Sequence, residues 1–182
     1  MNQYEFSECS WESVKHLFLN YHYLKSMPAG IMAIYGLFDN MNLGIAIGGA
    51  VFCNGRIQYD KKYIEFSRMF LLNDLPKNSE SHFISKCMKA LHKKYPSYLG
   101  IVTWADSNRG HNGTIYKAAN FTFDGMSRPV KKYAGKNKKV IYQRTANSLS
   151  IQIGEDSAKY RFIYYFDKKK REQSRKINTF NK

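Results

Sequence analysis

Residues 63–91, "YIEFSRMFLLNDLPKNSESHFISKCMKAL", change periodicity in the middle. "YIEFSRMFLL" reads as a strand, and "NDLPKNSE" is polar and broken by Pro76. Beyond it Phe83, Ile84, Cys87, Met88 and Leu91 recur at helical spacing on one face, with Lys86, Lys89 and Lys93 largely off it. "YLGIVTWAD", ending at Asp106, then has the short continuous apolar run of a buried strand. Working outward, "SWESVKHLFLNYHY" (10–23) places Trp11, Val14, Leu17, Phe18 and Tyr21 at helical intervals, with Ser10 as an N-cap candidate and Pro28 and Gly30 as stops. "IMAIYGLF" and "GIAIGGAVFC", joined by "DNMN", read as a hairpin; Asn54-Gly55 is a further turn, and the glycines at 44, 48 and 49 mark a bulge or a close backbone approach. Downstream, "GTIYKAAN" is a short helix, "FTFDG" a strand, and "KVIYQR", "SLSIQI" and "KYRFIYYF" are strand-like. The pattern predicts an α/β protein with a mixed sheet flanked by helices.

The chain has 182 residues, 43% of them hydrophobic, enough for one substantial core. A single domain over 1–166 followed by a basic tail at 167–182 is the expectation. No apolar run approaches a membrane span and no basic leader precedes an apolar stretch, so a cytoplasmic protein without membrane partners is expected. Cys9, Cys53 and Cys87 are isolated and match neither a disulfide framework nor a zinc spacing.

Charge is more informative. With 29 Lys and Arg against 14 Asp and Glu the chain carries +15, which predicts a polyanionic partner, most simply nucleic acid. Residues 128–144 hold seven basic and no acidic side chains, and residues 165–182 hold seven basic and two acidic. Aromatics interleave with both runs, so Lys131, Lys132, Lys168, Lys169 and Lys170 are candidate DNA contacts; a solubilising surface is the competing explanation.

Two constellations point to chemistry. At "LPKNSES" a strand feeds a helix whose first turn holds Ser79 and Ser81, so free N–H groups and small hydroxyls would suit a pyrophosphate, with Arg68 reaching the same anion; simple capping by Asn78 or Ser79 explains the same residues. His22 and Tyr23 follow the first helix, while Asp106, His111 and Tyr116 lie at or beyond the end of the buried strand, where open α/β sheets place their sites. Carboxylate and imidazole together also match the ligand preference of non-haem iron, although the spacing is no metal motif. An aspartate capping a turn and a tyrosine in the core remain the ordinary alternatives.

"YHYLKSMPAG" (21–30), "FSRMFLLNDLPKNSESHFISK" (66–86) and "VTWADSNRGHNGTIYKAANFTFDG" (102–125), in this order, together resemble the bacteriophage Mom family of adenine methylcarbamoylation proteins, and "KYRFIYYF" resembles its basic C-terminal strand. The resemblance implies a GNAT (N-acetyltransferase) fold. It also implies a transferase that converts adenine in double-stranded phage DNA to its methylcarbamoyl form and so shields the DNA from host restriction enzymes. Coenzyme A, as acetyl-CoA, and iron are implied cofactors. By matching position, Arg68 and Ser81 are the coenzyme-side residues, with Ser79 beside them. Tyr23, Asp106 and Tyr116 are the active-site residues, and His22, Tyr23 and Asp106 are the implied iron ligands. One departure stands out: the usual GNAT loop, [RQ]-x-x-G-x-[GA], is replaced by the glycine-free "NDLPKNSES". The competing functions are a conventional acetyltransferase acting on a protein or small amine and a non-catalytic DNA-binding module, as monomer or dimer.

Overall fold

A computed structural model describes residues 3–42, 44–55, 62–134, 140–142, 146, 150–156 and 158–180. Strand β1 (Tyr4–Glu8) precedes helix α1 (Trp11–Asn20). The expected hairpin is β2 (Ile31–Asp39) and β3 (Ile45–Asn54), followed by β4 (Tyr63–Leu71), α2 (Ser79–Lys94) and β5 (Gly100–Asp106). A single 3-10 turn (Ser107–Arg109) leads to α3 (Thr114–Ala118) and β6 (Thr122–Met126). Then come β7 (Val130–Ala134), β8 (Val140–Tyr142), β9 (Gln152–Asp156), β10 (Lys159–Tyr165) and α4 (Lys168–Phe180).

The main sheet has seven strands in the order β1-β2-β3-β4-β5-β10-β6, and β8-β7-β9 form a separate three-stranded sheet. Among the described residues all strand pairings are antiparallel except β4 with β5. Strand alternation sends Ala33, Tyr35 and Leu37 to one face, where they meet Phe83, Ile84, Cys87, Met88 and Leu91 of α2. Ile34, Ala46, Val51 and Cys53 pack on the other face against Val14, Leu17 and Phe18 of α1. The two helices therefore cover opposite faces, and each large side chain buried there contributes roughly 1.5–3 kcal/mol.

The expected irregularity of the hairpin is present: pairing shifts register between Leu37↔Gly48 and Phe38↔Ala46. Gly49 shows the close approach, since a Cβ there would stand 3.0 Å from the Phe18 ring and 3.2 Å from Val14 Cβ. The turn expected after Asn54 runs into residues 56–61, outside the described residues, as do parts of the basic run at 135–139 and 143–145 and of "SLSIQI" at 147–149.

Three elements depart from the sequence reading. β1 was not expected, nor was β7. The basic segment after residue 166 is a helix rather than a tail, because its polar side chains find partners on the sheet edge. Arg171 lies 4.6 Å from the Tyr164 ring centroid and donates to Tyr165 O at 2.9 Å, Ser174 meets Thr122 at 3.0 Å, and Arg175 reaches Asn120 Oδ1 at 3.0 Å.

Candidate active site

The parallel pairing of β4 with β5 lasts only from Tyr63↔Gly100 to Glu65↔Val102. Thr103 Oγ1 still donates to Phe66 O at 3.0 Å, but further along Arg68 pairs with Val51 of β3 while Ala105 and Asp106 pair with Tyr160 and Lys159 of β10. The strands part beyond Val102, and the carboxyl end of β5 is where open α/β sheets place the crevice that holds a site.

Three segments converge there. From the segment after α1 come His22 and Tyr23, whose rings stack at 4.6 Å; His22 is buried, also against Phe18 at 5.8 Å, and Tyr23 is half-exposed. From β4 comes Arg68, whose Nη1 donates to Ser26 O and, at 3.3 Å, to Ser26 Oγ. Its Nε is buried without an acceptor among the described residues. From the end of β5 and the segment after it come Asp106, Arg109 and His111: the Arg109 guanidinium lies 5.0 Å from the Tyr23 ring centroid and the His111 ring 6.4 Å from it.

The electrostatics follow from this grouping. Burial, then Arg68 and then His111, push the His22 pKa down to about 4, so its imidazole is neutral at pH 7. Burial and the Asp106 carboxylate raise the Tyr23 pKa, with Arg68 and Arg109 opposing, so the phenol stays protonated. Tyr116 is raised as well, chiefly by burial, with the Thr103 side chain opposing and Tyr23 adding to the rise. Its ring packs with Phe66, Phe121 and Phe162 at 5.9, 5.6 and 5.7 Å. Tyr116 is a core ring, as the ordinary reading has it, with its hydroxyl near the Thr103 side chain and within electrostatic reach of Tyr23. Gly113 makes this possible: it is left-handed at φ +76°, and a Cβ there would stand 2.1 Å from Phe162 Cζ.

Asp106 also caps the turn, as the ordinary reading has it. Oδ1 accepts from Asn108 N at 3.2 Å, and Oδ2 lies 3.7 Å from Lys159 Nζ. Lys159, Arg109 and Ser26 were not expected from sequence. Their places depend on contacts that no local pattern carries, although the strand-like run "KYRFIYYF" could have suggested Lys159 as a sheet neighbour of "VTWAD".

The expected coenzyme residues fall into two places. Ser79 Oγ turns back to Pro76 O at 2.7 Å and Ser81 Oγ to Asn78 O at 3.0 Å, while Asn78 at φ 68° makes no side-chain cap. Neither serine hydroxyl serves as an N-cap, which leaves backbone N–H groups of the first turn for an anion. A cavity of about 290 Å³ lies here, lined by Leu71, Leu72, Asn73, Leu75 and the residues from Pro76 to Glu80. Arg68 is not part of that lining; its head group belongs with His22 and Tyr23.

The expected basic contacts are spread over two elements. Lys131 and Lys132 lie on β7, where Lys132 pairs with Asp156. Lys168, Lys169 and Lys170 form the exposed first turn of α4, with Asp167 Oδ1 accepting from Lys170 N at 2.7 Å. The β7–β9 sheet joins the main sheet through a neck next to the crevice. Ser127 N donates to Lys159 O at 2.8 Å, Lys159 N to Ser127 Oγ at 2.9 Å, and Ser107 Oγ to Ala158 O at 2.9 Å.

Iron is not matched by the donors as they stand. His22 Nδ1 accepts from Leu24 N at 3.2 Å, so the neutral ring carries its proton on Nε2; the Tyr23 phenol is protonated, and Asp106 is engaged with Asn108 and Lys159. Among the described residues no three His, Cys, Asp or Glu side chains gather as a metal would require, and no step below passes through one.

Splayed parallel strands within an otherwise antiparallel seven-stranded sheet, with a helix start facing a cavity, define an acetyltransferase-type fold. The ribosomal-protein-S5-alanine acetyltransferase of Vibrio fischeri matches with a TM-score of 0.59 over 92% of this chain and 96% of that one, at 9% identity. The yncA acetyltransferase of Salmonella typhimurium, solved with its cofactor acetyl-CoA, gives 0.58 over 92% and 96%, at 10% identity. Within this fold the chain belongs to the Mom protein family, whose model matches residues 3–182. The methylcarbamoylase mom of Escherichia phage Mu is 41% identical over 66 residues, which span 36% of this chain and 27% of that protein. Among the described residues no helix is long and apolar enough to cross a membrane.

Proposed function

We propose that the chain is a DNA-modifying transferase that converts adenine in phage DNA to its methylcarbamoyl form and protects that DNA from host restriction. The observation that carries this reading is the convergence of Tyr23, Arg68, Asp106 and Tyr116 on one crevice in a member of the Mom family. The relative in phage Mu is a methylcarbamoylase, and the charge of +15 suits DNA as the substrate. Acetyl-CoA is the proposed coenzyme. It is bound by the Salmonella typhimurium relative in fold, and the α2 start with its cavity offers a place for the pyrophosphate.

In this reading the Asp106 carboxylate accepts a hydrogen bond from adenine's exocyclic amine and draws off its proton. The protonated phenols of Tyr23 and Tyr116 donate hydrogen bonds that orient the coenzyme-derived group. Bonding the amine to its methyl carbon removes two electrons and two protons, and amidating its carbonyl releases the thiol, so a two-electron oxidant and an ammonia-level nitrogen donor are co-reactants. Direct acyl transfer would join the amine to a carbonyl carbon, whereas the methylcarbamoyl product joins it to a CH2 carbon. The loop "NDLPKNSES" departs from the ordinary acetyltransferase loop in the same protein. Lys131 and Lys132, on the small sheet next to Lys159, contact phosphates near the site, and the Lys168–Lys170 turn, beside the Gly100 end of β5, contacts phosphates further along the DNA. The test is protection. Plasmid DNA from bacteria expressing the chain should resist restriction endonucleases that read adenine, while plasmid from cells with an empty vector is cut; equal cleavage of both would refute the reading.

A further inference from the structure

The segment from His22 to Met27 is held by hydrogen bonds at both ends and carries exposed apolar side chains between them. At its start His22 is buried, stacked between Phe18 and Tyr23. His22 Nδ1 takes Leu24 N–H at 3.2 Å and His22 O takes Lys25 N–H at 3.0 Å, closing a tight turn in which Lys25 is left-handed at φ 43°. Beyond the turn, Ser26 is held by the Arg68 guanidinium through both its carbonyl and its hydroxyl. Fixed at both ends, the turn leaves Leu24 44% exposed and Met27 52% exposed beside Tyr23 at 40%. What sets these apart from other exposed apolar residues is their grouping: three large side chains within five residues of a loop held at both ends.

The surroundings indicate what covers them. Lys25 is exposed in the turn, Arg109 lies over Tyr23, and Lys159 lies beside Asp106, all in a chain of net charge +15. An apolar turn between cations beside the site suits the interior of a base stack flanked by phosphates. We propose that Leu24 and Met27 are a wedge that enters the duplex and fills the space an extruded base leaves, holding that base towards Tyr23 and Asp106. This rests on DNA being the substrate, as proposed above. It adds the residues that open the helix, which the reaction needs because a paired adenine hides its amine.

Two measurements separate the wedge from the reading it rests on. Fluorescently labelled duplexes, one fully paired and one with an adenine opposite an abasic site, are titrated with purified protein. Wild type should bind the abasic duplex at least about tenfold more tightly, since the wedge then enters without breaking a pair. The Leu24→Ala/Met27→Ala variant should bind both alike, with wild-type affinity for the paired duplex, and Leu24→Phe should restore the preference. In bacteria, nucleoside mass spectrometry should find modified adenine with wild type and at least about tenfold less with the double alanine variant. If wild type shows no preference for the abasic duplex, or the double variant keeps it, the wedge is refuted even where adenine is modified. If the preference follows the wedge and adenine stays unmodified, the wedge stands and the proposed reaction falls.

Discussion

At His22 the surroundings disfavour the protonated ring. Its pKa falls from 6.5 to about 4 because burial, Arg68 and His111 all disfavour the cation. The unfolded chain therefore binds a proton at a pH where the folded chain does not. The stabilisation is complete above about pH 6.5 and is lost as the pH falls towards about 4. In His22→Asn the amide oxygen can accept the Leu24 N–H in place of Nδ1 and cannot titrate. Urea midpoints should drop between pH 6.5 and 4 in wild type, and that drop should be smaller in His22→Asn. Parallel pH curves would show that His22 is not the group responsible. At this scale Tyr23, Asp106 and Tyr116 could be proposed because three blocks of sequence resemble one family, and the structure brings Tyr23 within electrostatic reach of the other two. Ser26 and Lys159 could not be, since one is defined by a partner 42 residues away and the other by strand pairing.

Among the elements, α3 shows most plainly how backbone geometry serves the site. It is a five-residue helix, too short to hold itself, and its position depends on Gly113 fitting against Phe162. Gly113→Ala puts a methyl group into that ring at a left-handed φ, and should cost roughly 1–3 kcal/mol. A thermal melt should show a fall in Tm, while Gly110→Ala, left-handed too but with nothing within 4 Å of its Cβ, should fall less; equal losses would mean that the Phe162 contact does not matter. The α1, α2 and β2–β5 pattern was readable because each has a regular apolar face. α4 was not, because "KKKREQSRKINTF" has no apolar stripe and docks through Arg171, Ser174 and Arg175 to partners on other strands. β1 escaped notice because "YEFSE" is a short edge strand that takes its pairing from β2.

Across the whole molecule the basic surface and the crevice are separate devices. The Lys168–Lys170 turn sits at the positive end of α4, where three cations are unfavourable until an anion arrives. Replacing all three with glutamine should weaken DNA binding for every sequence alike and flatten the dependence of log K on log salt by about 0.9 for each phosphate that is no longer neutralised. An unchanged slope would place the phosphates elsewhere. The fold class was legible from the strand–helix–strand change at residues 63–106, whereas the parting of the strands depends on where β4 stops pairing with β5, which no periodicity reports.

Mass spectrometry of nucleosides from the DNA of bacteria expressing wild type, Asp106→Ala or Tyr116→Phe decides whether this crevice modifies adenine. Asp106→Ala removes the proposed proton acceptor and Tyr116→Phe removes only a hydroxyl from a packed ring, so neither should disturb the basic surface. The account predicts methylcarbamoyl-adenine with wild type and its loss or sharp reduction in both variants, with salt-sensitive DNA binding retained. Unmodified adenine in the wild-type sample, or wild-type levels of modification in both variants, would contradict it.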